Sequence, residues 1–138
     1  GRRDVVAAFK KLRGQIDFGM FLPVQKAAIA ALTGPLDMVK AQCGLYQQRR
    51  DALCGGLRSI GWHVPDSHGS MFVWAPIPEK YAKSMDFCLD LVEKSGVLCT
   101  PGSSFGPLGE GYVRFALTLP PERIAEAVNS IKKSGILN

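Results

Sequence analysis

One arginine of this chain, Arg114, follows a glycine-rich loop and lies in a predicted strand with apolar neighbours. Because side chains alternate between the two sides of a strand, residues 112–119 are expected to form two distinct faces. The core face consists of Val113, Phe115, Leu117 and Leu119, and the second face of Tyr112, Arg114, Ala116 and Thr118. The second face is too apolar for an ordinary solvated surface. The guanidinium is therefore expected in a semi-enclosed place that needs an anion.

A carboxylate is the anion that suits Arg114 best. A guanidinium is always charged and can donate two parallel hydrogen bonds to the two carboxylate oxygens. The alternative is a solvated arginine on an edge strand. The glycines of the preceding loop are expected to let the backbone turn tightly and come close to a small molecule.

The same loop contains a pattern known from hydrolases. Residues 102–106 satisfy G-x-S-x-G, the nucleophile elbow of the α/β-hydrolases. That elbow needs a helix directly after the serine, whereas Pro107 and further glycines follow Ser104 here. The triad also needs a histidine downstream, but His63 and His68 both precede the serine. The sequence therefore argues against a serine hydrolase.

The cysteines and the charge exclude other classes of site. Cys43, Cys54, Cys88 and Cys99 form no CxxC pair and have no histidine at metal spacing, which disfavours zinc. Cys43 and Cys54 fall about 16 Å apart along one predicted helix, too far for a disulfide. Reduced thiols packed as small hydrophobes are expected, as in a cytoplasmic protein. The net charge of +5 comes without any nucleic-acid-binding motif, and no apolar run is long enough for a membrane span.

The chain of 138 residues has the length of one domain. Hydrophobic periodicity and helix-stop signals predict helices at Asp4–Leu12, from Pro23 to Gly34, at Leu36–Ile60, at Ser84–Lys94 and from Pro121. Gly14 is expected to stop the first helix and Ser84 to cap the fourth. The apolar residues of the first helix that are expected to face inward are Val5, Val6, Phe9 and Leu12. The predicted apolar stripe of the third helix consists of Val39, Cys43, Tyr46, Leu53, Leu57 and Ile60. Arg50 falls on this stripe and is expected to pair with a carboxylate or to lie at the edge of the stripe.

Strands are predicted near His63–Val64 and at Met71–Ile77, Val97–Thr100 and Tyr112–Leu119. The second of these is apolar throughout, as expected for a strand covered on both faces, although Pro76 and Pro78 place its end at an edge. This order predicts an α+β fold in which a small mixed or antiparallel sheet is covered by helices on one side and preceded by a long helix.

Several of these segments together resemble the carboxy-terminal part of class I/II pyridoxal-phosphate aminotransferases. The resemblance is carried by Met71–Ala75, by Val97–Gly102 with Phe105 and Gly106, and by Gly111–Ala116. Upstream, the alanine- and diaminopimelate-type branch is matched by Ile16–Phe21 with Pro23 and Gln25, by Tyr46, by Arg49–Asp51 with Leu53, and by Gly61 and Trp62. The resemblance covers essentially the whole chain.

The resemblance implies a role for two residues and a domain organisation. Arg114 stands where the family's arginine binds the α-carboxylate of the amino-acid substrate, and Phe21 lies in a segment that borders the active site of the neighbouring subunit. Residues 1–22 are expected to be the end of the cofactor domain and the link between domains. Residues 23–138 are expected to be the carboxy-terminal small domain of a fold-type I enzyme. No catalytic, cofactor-binding or metal-binding residue is expected in this segment.

The family's Schiff-base lysine lies in a serine-lysine segment followed by a glycine and an arginine, and no lysine here has that context. We expect that lysine, and most of the pyridoxal phosphate site, in a missing upstream domain. The resemblance implies a homodimeric, cytoplasmic parent enzyme, without nucleic-acid or membrane partners, that transfers an amino group between an L-amino acid and a 2-oxo acid. The segment alone is expected to be inactive. The alternative is a non-enzymatic interaction or dimerisation module that retains the small-domain fold.

Overall fold

The computed structural model describes residues 1–137. Two compact units divide the chain, the first Gly1–Met38 and the second from Val39 onward. The helices are α1 (Arg3–Ile16), α2 (Leu22–Thr33), α3 (Asp37–Ser59), α4 (Ser84–Ser95) and α5 (Pro121–Ser134), and the strands are β1 (Phe72–Pro76), β2 (Thr100–Pro101) and β3 (Tyr112–Ala116). Among these residues, no helix combines the length and the hydrophobicity of a membrane span.

The first unit consists of α1 and α2. Helix α1 runs through Gly14 to Ile16, so the predicted stop at that glycine is wrong. The apolar stripe that the sequence turns inward stays exposed, with Phe9 at 60% and Leu12 at 59% of their full surface. A stripe is buried only where a second apolar surface faces it, and neither helix contains a buried residue here. Helix α2 has Pro23 in its first turn and ends before Gly34, as predicted.

Helix α3 agrees with the predicted helix to within one residue at each end. Its buried residues are Leu53 and Leu57, which belong to the second half of the predicted stripe, and Cys54, which the stripe did not include. Arg50, which interrupts that stripe, pairs with Asp51 at 2.7 Å and donates to the Ser67 carbonyl at 3.2 Å. The expectation of a carboxylate partner is confirmed.

The sheet is antiparallel throughout, in the order β1-β3-β2. The expected strand at His63–Val64 is absent; Val64 is fully buried, in an irregular segment that no strand pairs with. Strand β1 is an edge strand, as its prolines predicted, but it is not covered on both faces. Only Val73 and Ala75 are buried, because the helices lie on one side of the sheet.

One hydrophobic core holds the second unit together. It includes Leu57 of α3, Phe87 of α4, Val113 of β3 and Ile131 of α5. Trp62, in the segment after α3, packs edge-on against Phe87 and against a second core ring, with ring centroids 5.3 and 5.7 Å apart. The α+β architecture predicted from the sequence, with helices on one side of a small sheet, is therefore confirmed.

Candidate functional site

Arg114 lies in the middle of the central strand. Its backbone neighbours are Trp74 of β1 and Thr100 of β2. Val113 and Phe115, on either side of it in sequence, are buried in the core, whereas Arg114 is partly exposed on the opposite face. The predicted division into two faces is confirmed for β3 and for Leu117, which is buried. The strand ends at Ala116, however, and Leu119, predicted on the core face, is 51% exposed. An arginine on an edge strand, the alternative considered from the sequence, does not describe this position.

The guanidinium of Arg114 contacts aromatic rings. Its Cζ atom lies 4.0 Å from the centroid of the Phe72 ring and 4.3 Å from that of the Phe105 ring. At this range a guanidinium is attracted to the electron-rich face of an aromatic ring. Within residues 1–137 it makes no hydrogen bond and no ion pair. Its positive charge and its N–H donors therefore remain available to a ligand.

The other partly buried arginines, Arg49 and Arg50, both have acceptors for their N–H groups within the protein. Arg49 donates to the carbonyl oxygen of Leu117 at 3.0 Å. Arg50 is neutralised by Asp51 and also donates to a carbonyl oxygen. Buried donors in folded proteins nearly always have a partner. Of the partly buried arginines in the described part of the chain, Arg114 alone lacks one.

Aromatic side chains surround Arg114, and we call Phe72, Trp74, Phe105 and Tyr112 the aromatic face. Trp74 stacks on Tyr112 with centroids 5.8 Å apart and 21° between the rings. Trp74 also meets Phe105 edge-on at 5.7 Å. Large rings lower the local polarity, and a charge–charge interaction is stronger where the polarity is low. A carboxylate reaching Arg114 here would be bound more tightly than at an open surface.

The loop between β2 and β3 forms two short 3₁₀ turns, Gly102–Phe105 and Pro107–Gly109. A Cβ atom on Gly102 would lie 1.9 Å from the Gly109 carbonyl oxygen, and one on Gly109 would lie 2.1 Å from the Gly102 oxygen. Only glycine fits at either position. The tight backbone approach expected from the sequence occurs between the two turns of the loop, and its expected approach to a small molecule stays a prediction.

Two polar side chains fasten this loop to α4. Glu110 accepts hydrogen bonds from the backbone N–H of Ser84 at 2.6 Å and of Gly111 at 2.9 Å. The bonds from Gly111 and Ser84 lower the pKa of the Glu110 carboxyl. The Ser84 hydroxyl donates to the Ser103 hydroxyl at 3.1 Å and accepts the Ser103 N–H at 3.3 Å. Ser84 was predicted to cap α4; it is the first residue of the helix instead, and its side chain holds the loop.

Sequence reasoning missed the roles of Ser84, Glu110, Phe72 and Phe105. Ser84 and Glu110 are separated by 26 positions, and no spacing rule connects them. Phe72 carried a signal, since it alternates with Val73 and so had to share a face with Trp74. Ser104 of the G-x-S-x-G pattern is exposed in a 3₁₀ turn, without the helix that a nucleophile elbow requires.

The cysteines and metal-ligating residues do not form a site. Within the described residues, no group of histidine, cysteine and acidic side chains could hold a metal ion. The thiols are free, and the sulfur atoms of Cys88 and Cys99 lie 3.3 Å apart in the core. Burial raises the pKa of both thiols, so they are protonated and unreactive at neutral pH. Cys43, expected to be packed, is exposed.

The exposure of the lysines bears on whether this chain could hold pyridoxal phosphate. A lysine that forms a Schiff base needs a desolvated site to lower its pKa, but every lysine of this chain is exposed. The lysines of the described residues therefore do not fit the cofactor. The expectation that this segment contains no cofactor-binding residue stays a prediction. Phe21 precedes α2 in the first unit and is 73% exposed.

Known proteins resemble this chain along nearly its whole length. The family described as aminotransferase class I and II matches residues 1–131. The LL-diaminopimelate aminotransferase of Halothermothrix orenii is 45% identical over 99% of this chain and 35% of its own length. That of Moorella thermoacetica is 43% identical over 96% of this chain and 34% of its own length.

Solved structures of the same family share the fold. An aminotransferase from Staphylococcus aureus aligns with a TM-score of 0.89 at 30% identity, over 100% of this chain and 37% of its own. A probable N-succinyldiaminopimelate aminotransferase from Thermus thermophilus aligns with a TM-score of 0.85 at 31% identity, over 97% of this chain and 36% of its own. The chain thus spans about a third of the length of its relatives. Their class depends on pyridoxal phosphate. From the family match and these alignments, the chain belongs to the class I and II aminotransferases.

Proposed function

We propose that this chain supplies the substrate-carboxylate site of an enzyme that transfers an amino group between an L-amino acid and a 2-oxo acid. Arg114 binds the α-carboxylate. The observation that carries the proposal is the partly buried guanidinium of Arg114, which has aromatic contacts but no hydrogen-bond acceptor among residues 1–137. A carboxylate would satisfy it with two parallel N–H···O bonds.

The relatives suggest which amino acid to test first. Curated relatives in Halothermothrix and Moorella are named LL-diaminopimelate aminotransferases. LL-diaminopimelate is therefore the first substrate to assay, followed by L-glutamate and L-alanine as simpler donors. Arg114 binds the α-carboxylate, which all three compounds share, so it contributes affinity for amino acids in general. Selectivity among them belongs to groups that contact the side chain.

The parent enzyme is proposed to be a homodimer in which Phe21 borders the site of the neighbouring subunit. Its exposed ring is compatible with a contact outside this chain. The lysine that forms the Schiff base, and the cofactor domain, are proposed to come from the part of the parent that this chain does not contain. The alternative, an interaction module without catalysis, gives no reason for a guanidinium without an acceptor on an aromatic face.

The proposal is tested by changing Arg114→Lys in the enzyme that contains this chain. The ammonium group cannot replace a bidentate fork, so we expect a fall in kcat/KM that corresponds to a loss of about 2–4 kcal/mol of transition-state stabilisation. Steady-state kinetics with LL-diaminopimelate, L-glutamate and L-alanine measure the loss. The matched control is Arg123→Lys on α5, an exposed arginine that pairs with Glu126. Wild-type kcat/KM in the Arg114→Lys enzyme with all three donors would overturn the assignment.

A further inference from the structure

We propose that Phe72 and Phe105 are positioning residues that hold the guanidinium of Arg114 so that only its N–H edge is open to a carboxylate. This inference rests on the proposed function, because it concerns how the same arginine is presented. It assigns a role to a sheet residue and to a loop residue that neither the family match nor the arginine itself assigns.

The geometry supports this role. The Arg114 Cζ atom lies over two rings from different elements, Phe72 on β1 and Phe105 at the end of the first 3₁₀ turn. The N–H bonds of a guanidinium lie in its own plane, whereas stacking uses the face of that plane. With ring centroids 4.0 and 4.3 Å from Cζ, the two rings displace water from part of the cation, while its N–H groups have no acceptor within residues 1–137. A long arginine side chain otherwise has many rotamers to lose when it binds an anion.

The loop explains how Phe105 reaches the arginine. Its ring is half exposed, so core packing alone does not fix it. Its backbone is fixed instead, by the close contact of Gly102 with Gly109 and by the hydrogen bonds between Ser103 and Ser84. Trp74 supports the ring from the side. The backbone contacts of the glycine-rich loop thus fix the position of the Phe105 ring.

The experiment compares Phe105→Leu with Phe105→Tyr in the enzyme that contains this chain. Leucine keeps an apolar side chain of similar size but removes the ring face, whereas tyrosine retains the face. We expect Phe105→Leu to raise KM for the best donor among LL-diaminopimelate, L-glutamate and L-alanine about threefold to thirtyfold, with kcat changed less than about twofold. Phe105→Tyr is expected to keep KM within about twofold of wild type. Leu108→Ala, in the same loop and 99% exposed, is the matched control and is expected to leave KM unchanged.

A second measurement separates positioning from general packing. The α-carboxamide of the same amino acid is used as a competitive inhibitor, since it lacks the negative charge that Arg114 binds. The Phe105→Leu change is expected to weaken binding of the acid, seen as a higher KM, and to leave the inhibition constant of the carboxamide unchanged. Equal weakening of both, or a wild-type KM for the acid, would overturn the inference. Phe72→Leu repeats the test from the sheet side, and circular dichroism verifies that each variant is folded.

The outcomes also distinguish this inference from the proposed function. If Arg114→Gln raises KM for the acid while Phe105→Leu and Phe72→Leu do not, the carboxylate site stands and the positioning role fails. If Arg114→Gln leaves KM unchanged, both proposals fail together.

Discussion

Trp62 and Arg114 each place a polar group among aromatic rings, and they differ in whether the protein completes the hydrogen bonds of that group. The buried indole of Trp62 donates from Nε1 to the Pro76 carbonyl oxygen at 2.8 Å. The guanidinium of Arg114 contacts two aromatic rings but has no hydrogen-bond acceptor within residues 1–137. A group whose bonds are complete serves stability, whereas a charged donor left open is available to a ligand. The two residues should therefore respond differently to substitution.

For Trp62→Phe we expect the free energy of unfolding of the chain to fall by about 1–3 kcal/mol, because the change removes buried ring contacts and leaves the Pro76 carbonyl without its donor. Urea unfolding followed by circular dichroism measures it. In the enzyme containing this chain, KM for the amino acid should stay unchanged. A Trp62→Phe variant with wild-type stability but a raised KM would contradict this division between a structural and a functional residue.

At the scale of elements, the neighbouring glycines Gly55 and Gly56 in α3 have different surroundings. A Cβ atom on Gly55 would meet nothing within 4 Å. One on Gly56 would lie 3.0 Å from Cγ2 and 3.4 Å from Cγ1 of Val128, a buried residue of α5. Gly56 therefore allows close packing of two helices, whereas Gly55 only lowers the helix propensity.

We expect Gly55→Ala to stabilise the chain by about 0.5–1 kcal/mol through helix propensity and the lost entropy of the unfolded chain. Gly56→Ala should be less favourable than Gly55→Ala by about 1 kcal/mol or more, because a buried β-branched side chain has little room to move. Thermal and urea unfolding of the matched pair measure both. Equal effects of the two substitutions would show that α3 and α5 do not pack closely at Val128.

Glu110 links the loop to the start of α4, and its depressed pKa predicts a pH dependence. A carboxyl whose pKa is lower in the folded state contributes stability above its unfolded pKa and loses it as the pH falls through the folded value. The contribution of Glu110 should therefore be present at neutral pH and disappear below its ordinary pKa of 4.5. Glu110→Gln should lower the melting temperature at pH 7 but have less effect under acid conditions.

The control for Glu110→Gln is Glu93→Gln, an exposed glutamate on α4. Melting temperatures of both variants and of wild type, measured from neutral to acid pH, complete the test. A Glu110→Gln deficit that stays constant across this range would contradict a link between the ionisation of Glu110 and stability.

At the scale of the whole molecule, the buried residues are confined to one of the two units, and the lysines all lie at the surface. The residues that form the core come from the second unit, whereas α1 and α2 contain no buried residue. Every lysine is exposed, so the described residues offer no desolvated amine for a Schiff base. The described residues therefore contain the carboxylate site that we propose at Arg114, but no desolvated lysine.

We expect the isolated chain to fold but not to transaminate or to form a specific covalent adduct with pyridoxal phosphate. Titration with pyridoxal phosphate, followed by absorbance, should give only the weak and non-saturating signal of exposed amines. The control is the same titration after reductive methylation of the lysines. A stoichiometric adduct that disappears when one particular lysine is replaced would contradict this expectation.

The sequence alone was sufficient for the order of the main helices, for the two faces of β3 and for the position of Arg114, because these depend on local periodicity and on turn residues. It predicted a strand at Val64 and burial for Phe9, and both are wrong, because apolar side chains do not reveal which surface covers them. Only the tertiary structure brought Phe72, Phe105, Ser84 and Glu110 together around the arginine and its loop. Contacts between positions far apart in the chain depend on the whole packing arrangement, and no local pattern of residues encodes them.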